Sequence, residues 1–195
     1  VSNFQKDESI LIHGGSSGIG TTAISILKNY TKNLYVTAGT NQKCKSCIEL
    51  GATEAINYKD VDFEEYFNEK KLKVDVILDM VGGEYLKKNL KILNFKGRLT
   101  YIAALGGIKG EANLLHIMNK QLKISGSTLR SRSPLEKGSI VDQAQKEIWP
   151  LIEDGKYKPT IFETFKMHEV NKAHEVMEKS DHIGKIVLDI KGEQA

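Results

Sequence analysis

The chain has 195 residues, 40% hydrophobic and 27% charged, with a formal net charge of +3 at pH 7. That length suits one compact domain, or one with an appendage, burying roughly 70% of the surface its unfolded chain exposes. Lysines interspersed with acids argue against a nucleic-acid surface, no apolar run reaches membrane-spanning length, and two cysteines without a signal-peptide pattern point to a reducing cytoplasm.

The first element is the apolar run Ile10, Leu11, Ile12. It enters the turn His13-Gly14-Gly15-Ser16-Ser17-Gly18-Ile19-Gly20, after which Ala23, Ile24 and Leu27 show helical spacing over 19–30. A diphosphate can approach backbone N–H groups at a helix N-terminus only where side chains are absent. Gly15, Gly18 and Gly20 supply those gaps, and Ala23 is small enough for the helix to pack closely on the strand. The spacing Gly-x-x-Gly-x-Gly-x-x-Ala is a relative of the dinucleotide fingerprint, and its place between strand and helix gives it weight that a glycine run alone lacks.

The alternation continues: a strand over 33–37, a helix over 42–50, a strand over 54–57, a charged helix over 62–70 and a strong strand over 74–80, ended by Gly82 and Gly83. A helix over 84–93 and a strand over 98–103 follow. Gly106, Gly107 and Gly110 mark a loop before a short helix over 114–120 and a sixth strand over 122–127. Strands alternating with helices of this length need crossover connections, which predicts an α/β, Rossmann-type, doubly wound parallel sheet of six strands. The ligand then lies beyond the carboxyl ends of the strands, at the turns after strands one, two, four and five.

The tail breaks the rhythm. A long helix ending near Trp149 is followed by an extended segment over 158–165, a helix over 168–178 and a strand over 183–190, a βαβ-like piece with no obvious place in the same sheet. The expected division is a dinucleotide-binding domain over 1–155 and a C-terminal segment over 156–195. With only a short polar stretch before the first strand and no initiator Met, the chain is expected to be a piece of a longer protein.

Read together, several motifs resemble the zinc-independent quinone oxidoreductases, the zeta-crystallin-like group of the medium-chain dehydrogenase/reductase superfamily. They are the glycine turn, Thr37-Ala38-Gly39-Thr40, Leu50-Gly51-Ala52, Ile56-Asn57-Tyr58, the run from Val74 to Gly83, and His182-Ile183-Gly184-Lys185-Ile186-Val187-Leu188. The likeness covers nearly the whole chain. It implies an NADPH-dependent reductase of quinones or electron-poor enones, in which the dinucleotide domain is inserted into a GroES-like substrate domain. That substrate domain has no counterpart here, and the tail resembles the segment returning to it. The fragment is thus expected to bind cofactor without being a complete catalyst, and to form a homodimer through the sheet edge at the sixth strand. Two alternatives stay open: an enoyl reductase of the same superfamily, and a dinucleotide-responsive RNA-binding module, against which the mixed charge pattern speaks.

At the end of the second strand an NAD-selective fold usually presents an acid to the ribose hydroxyls. Here the sequence reads Thr37-Ala38-Gly39-Thr40-Asn41, with no carboxylate to repel a 2′-phosphate. A like-charge pair at about 4 Å costs about 4 kcal/mol at an effective dielectric near 20, so the missing acid matters more than any one donor. Lys43 resembles the family's 2′-phosphate lysine and Tyr58 a tyrosine lining the same site, while Thr40 offers a hydroxyl. Taken alone, Lys43 reads as a solvated first-turn lysine, since lysines are mostly exposed; the resemblance turns the reading toward phosphate contact. The resemblance places Met80, Val81 and Gly82 near the ribose, and Ala103, Ala104 and Leu105 facing the nicotinamide. Ser17, Ile19 and Gly39 complete the expected cofactor-binding set. The stretch from Ser127 to Arg132 either closes over the cofactor or serves a subunit contact, and Arg130 and Arg132 read equally as solvated.

Other candidates are discounted. Cys44 and Cys47 have redox or zinc spacing but lack a second pair, and read as helix cysteines. His13 reads as packed, and His168, His174 and His182 lack ligand spacing. Asp75 and Asp79 share a strand face but read as a strand start and a turn cap. No catalytic side chain and no metal ligand is assigned.

Overall fold

The computed structural model describes residues 2–190. Six parallel strands form one sheet in the order β3-β2-β1-β4-β5-β6, so the winding reverses between β1 (Ile10–His13) and β4 (Val74–Asp79). Every residue of β1 and of β2 (Leu34–Ala38) is buried, because helices cover both faces of the central strands. β3 (Glu54–Asn57) and β6 (Lys123–Gly126) are the edges.

The two faces carry separate cores. Ile12, Ile24, Val36, Cys47 and Val76 pack under α1 (Gly18–Leu27) and α2 (Asn41–Leu50). Leu11, Phe63, Phe67, Ile77 and Leu90 pack under α3 (Phe63–Glu69) and α4 (Tyr85–Ile92). The helix starts are written locally: Ser17, Thr40 and Asp62 each accept from an amide of the first turn, a cap contributing about 1 kcal/mol.

β5 (Leu93–Tyr101) differs from the expected 98–103: it begins where α4 stops and ends two residues earlier. The early start is held from both sides. Asn94 Nδ2 donates to Asp75 Oδ1 at 2.7 Å, and the Lys120 ammonium closes the end of α4 on the carbonyls of Leu90, Lys91 and Leu93 at 3.0, 2.8 and 2.8 Å.

After α5 (Leu114–Lys120) and β6, the 20-residue α6 (Pro134–Glu153) starts with a Ser133–Glu136 capping box and buries none of its residues. The tail stays out of the main sheet. β7 (Ile161–Lys166) and β8 (Lys185–Asp189) pair in parallel as a two-stranded sheet, crossed by α7 (Val170–Lys179). Among the described residues no helix is long and apolar enough to cross a membrane.

Candidate cofactor-binding site

The glycine turn sits at the carboxyl end of β1, beside the winding reversal, and its shape depends on missing side chains. A Cβ on Gly20 would lie 2.2 Å from the Gly14 carbonyl oxygen, and one on Gly15 would lie 2.7 Å from Val36 Cβ. Ser17 caps α1 by accepting from the Gly20 amide at 3.0 Å. The Gly18 and Ile19 amides, in the first turn, have no carbonyl four residues back within the helix, so they are donors at its positive end.

At the end of β2, Thr40 caps α2 by accepting from the Lys43 amide at 3.2 Å. Gly39 leaves room for Tyr58, whose hydroxyl oxygen would lie 2.8 Å from a Cβ there. Gly39, Thr40, Lys43 and Tyr58 meet Gly14 and Ser17 around one polar cavity of about 480 Å³. A second, apolar cavity of about 470 Å³ is lined by Ser17, Gly18, Ile19, Met80, Ala103 and Leu105, among others. The two share Ser17 and Leu105 and so form one continuous cleft.

Five expected residues fall outside that cleft. Gly15 and Gly20 shape the turn without lining either cavity, while Gly82 and Ala104 open onto a smaller cavity of about 170 Å³ beside Gly83 and Leu86. Val81 lines none of these three cavities; its amide donates to Asp79 Oδ1 at 2.6 Å.

Sequence reasoning missed the far wall. The tail folds onto the glycine turn: the Gly184 amide donates to the Ser16 carbonyl at 3.0 Å, the Lys185 ammonium donates to the Gly18 carbonyl at 2.9 Å, and the Lys43 ammonium donates to the Ser180 carbonyl. Met177 and His182 thereby line both cavities. These partners stand more than 130 residues apart in the chain, and no local pattern announces them.

Behind the cleft runs a buried polar chain. His13 is fully buried, with Nε2 at 2.8 Å from Asn89 Oδ1 and Nδ1 at 3.1 Å from the Thr37 hydroxyl. Asn89 Nδ2 donates to Asp79 Oδ2 at 2.9 Å, and Asp79 Oδ1 also accepts from the Gly82 amide at 3.1 Å. Asn89 must therefore accept from His13, which fixes the proton on Nε2 and makes the Thr37 hydroxyl the donor to Nδ1. The Gly14 amide approaches the Thr37 hydroxyl at 3.4 Å. The chain thus ties the glycine turn to the turn after β4. Asn89 carried one sequence signal, a carboxamide on the apolar face of a helix beside Leu90 and Leu86.

Burial lowers the His13 pKa below 6.5, against the opposing pull of the Asp79 charge and the Asn89 bond. The unfolded chain binds a proton on this ring near its ordinary pKa while the folded chain resists it, so folding stability is lost as pH falls below about 6.5. Stability is therefore expected to fall as pH is lowered from 7 toward 5, with a single proton setting a ceiling of about 1.4 kcal/mol per pH unit. His13→Gln should flatten that slope in urea titrations at each pH; an unchanged slope would remove His13 as its source.

The discounted groups keep structural roles. Burial pushes the Cys47 thiol up to about 12 and also raises Cys44, the reverse of a reactive thiolate. Asp75 bridges strands by accepting from the Ser9 amide and hydroxyl at 2.9 and 2.7 Å. Burial opposes its charge, yet these bonds, with help from Asn94 and Arg98, hold its carboxyl below the usual range. Among the described residues no group of three His, Cys, Asp or Glu side chains is placed to hold a metal ion.

Comparison with known proteins agrees with this architecture. The sequence model of the family described as zinc-binding dehydrogenase matches residues 50–188. The quinone oxidoreductase of Homo sapiens is 32% identical over 188 residues, covering 93% of this chain and 54% of that protein. The 2-haloacrylate reductase of a Burkholderia species is 28% identical over 185 residues, covering 92% of this chain and 54% of that protein. Among solved structures, Escherichia coli quinone oxidoreductase complexed with NADPH superposes with a TM-score of 0.82 at 27% identity, over 96% of this chain and 59% of its own. The chain thus spans about half the length of these relatives. By its fold, the family match over most of its length and its relatives, it belongs to the zinc-binding dehydrogenase family of the medium-chain dehydrogenase/reductase superfamily and carries a Rossmann-type six-stranded parallel sheet.

Proposed function

We propose that this chain is the NADPH-binding portion of an oxidoreductase that delivers hydride to a quinone or a similarly electron-poor acceptor. The observation that carries the cofactor choice is the polar cavity at the end of β2. Thr40, Lys43 and Tyr58 stand where an acid would select NAD, and the cavity wall holds Lys43, Lys59 and Lys179 against one carboxylate, Asp181. The glycine turn supports a dinucleotide, since the Gly18 and Ile19 amides at the start of α1 have no carbonyl partner within the helix and a Cβ at Gly20 would collide with the Gly14 and Gly15 backbone that shapes the turn.

When bound, the reduced nicotinamide supplies the hydride. The chain's own side chains then bind, orient and exclude water. Lys43 and Thr40 offer a cation and a hydroxyl to the 2′-phosphate, and Gly18 and Ile19 offer amides to the diphosphate. Met80, Ile102, Ala103 and Leu105 offer an apolar wall to the nicotinamide end. Quinones are electrophilic already, so little acid catalysis is required of this half. The name of the human relative supports a quinone acceptor; that of the Burkholderia relative supports a second reading, an α,β-unsaturated acid or other enone. We infer further that residues 156–195 return to a GroES-like domain and that the exposed β6 edge, with Ile124 half-exposed, pairs with a second copy.

Calorimetry tests the cofactor choice. The chain should bind NADPH at least roughly tenfold more tightly than NADH, and Lys43→Ala should remove most of that preference. Equal affinity of the unmodified chain for both nucleotides would sink the 2′-phosphate reading.

A further inference from the structure

The tail loop brings into the cleft one side chain that the fold itself leaves partly unused. His182 precedes Gly184 and Lys185, whose bonds to Ser16 and Gly18 hold this backbone opposite the N-terminus of α1. Its Nδ1 is buried and has no hydrogen-bond partner among the described residues. Its ring lies edge-on to Phe162, at 6.2 Å between centroids.

A buried N–H without an acceptor is rarer in proteins than a buried acceptor left short, so the ring proton belongs on Nε2. With Nδ1 enclosed by protein, the Nε2 edge is the one left to face the cavities that His182 lines. Among the described residues, only Ser17, Leu105, Met177 and His182 line both the polar cavity and the apolar one. In a dinucleotide laid along the cleft, the group that crosses from the adenosine end to the nicotinamide end is the diphosphate. The α1 amides approach it from one wall, and His182 stands on the other.

We propose that His182 is a cofactor-binding residue that donates its Nε2–H to a diphosphate oxygen, closing the diphosphate between the glycine turn and the tail loop. The assignment rests on the dinucleotide reading above and extends it to a residue outside the Rossmann sheet. The tail loop then carries a ligand contact as well as closing the cleft.

The test compares two probes on the full 195-residue chain. NADPH contains the diphosphate, whereas 2′-AMP carries only the 2′-phosphate and the adenosine. His182→Ala should weaken NADPH by roughly tenfold, as for a lost hydrogen bond to a charged group, and leave 2′-AMP within about twofold. His182→Gln, which keeps an N–H donor, should restore NADPH binding to within about threefold. Unchanged NADPH affinity in His182→Ala overturns the proposal. Parallel weakening of both probes also overturns it, because the loss would then come from disturbed packing around Ser180 and Lys43. Failure of the unmodified chain to bind either probe would remove the dinucleotide reading itself, and this inference with it; binding by the unmodified chain with no selective loss removes the inference alone.

Discussion

Gly20→Ala is expected to abolish measurable NADPH binding, a loss beyond roughly a hundredfold, and to destabilise the fold by more than about 3 kcal/mol. The added methyl would sit 2.2 Å from the Gly14 carbonyl oxygen and 2.6 Å from the Gly15 backbone carbons. Those atoms belong to the main chain of the cradle and cannot rotate away as a flexible side chain can. Gly138→Ala is the matched control: it lies inside the exposed α6, nothing stands within 4 Å of its added Cβ, and the same change should stabilise by about 0.5–1 kcal/mol. Urea unfolding and calorimetry on both variants read the difference. NADPH binding within threefold of wild type in Gly20→Ala would show that the turn does not shape the site.

Asn89→Leu is expected to cost about 3–4 kcal/mol, close to the sum of two buried polar groups left without partners at about 1–3 kcal/mol each. The side chain is wholly buried, and its removal strands His13 Nε2–H and Asp79 Oδ2 together. The consequence reaches the cleft, because Asp79 also holds the Val81 and Gly82 amides of the turn after β4. Thr37→Ser should stay near wild type, since it keeps the hydroxyl that serves His13, whereas Thr37→Val should lose roughly 1–2 kcal/mol. An Asn89→Leu loss below about 1 kcal/mol in urea unfolding would mean that water or neighbouring groups replace the amide.

The order of elements and the type of sheet are legible in the chain. Runs such as Ile10 to Ile12 are apolar on both faces, and helices separate the strands at crossover length, which leaves few topologies besides a parallel sheet covered on both sides. Strand ends are less legible. β5 begins at Leu93 because Asp75 and Lys120, distant in sequence, satisfy the backbone and side chains around α4's last turn. His13 and Asp79 have the burial and bonds of a packed residue and a turn cap, the roles their sequence positions suggest. The amide joining them is not legible, since a single Asn in an amphipathic helix carries no address for its partners.

The sequence by itself determined the near wall of the cleft. The glycine turn, Thr40 and Lys43 lie on consecutive βα units, and the conformation of each turn follows from residues within a few positions of it. Tertiary structure alone decided the far wall. Ser180, His182, Gly184 and Lys185 reach Lys43, Ser16 and Gly18 only after the tail folds back across the sheet's carboxyl edge. Contacts over such separations depend on where whole elements pack, and local spacing holds no record of that.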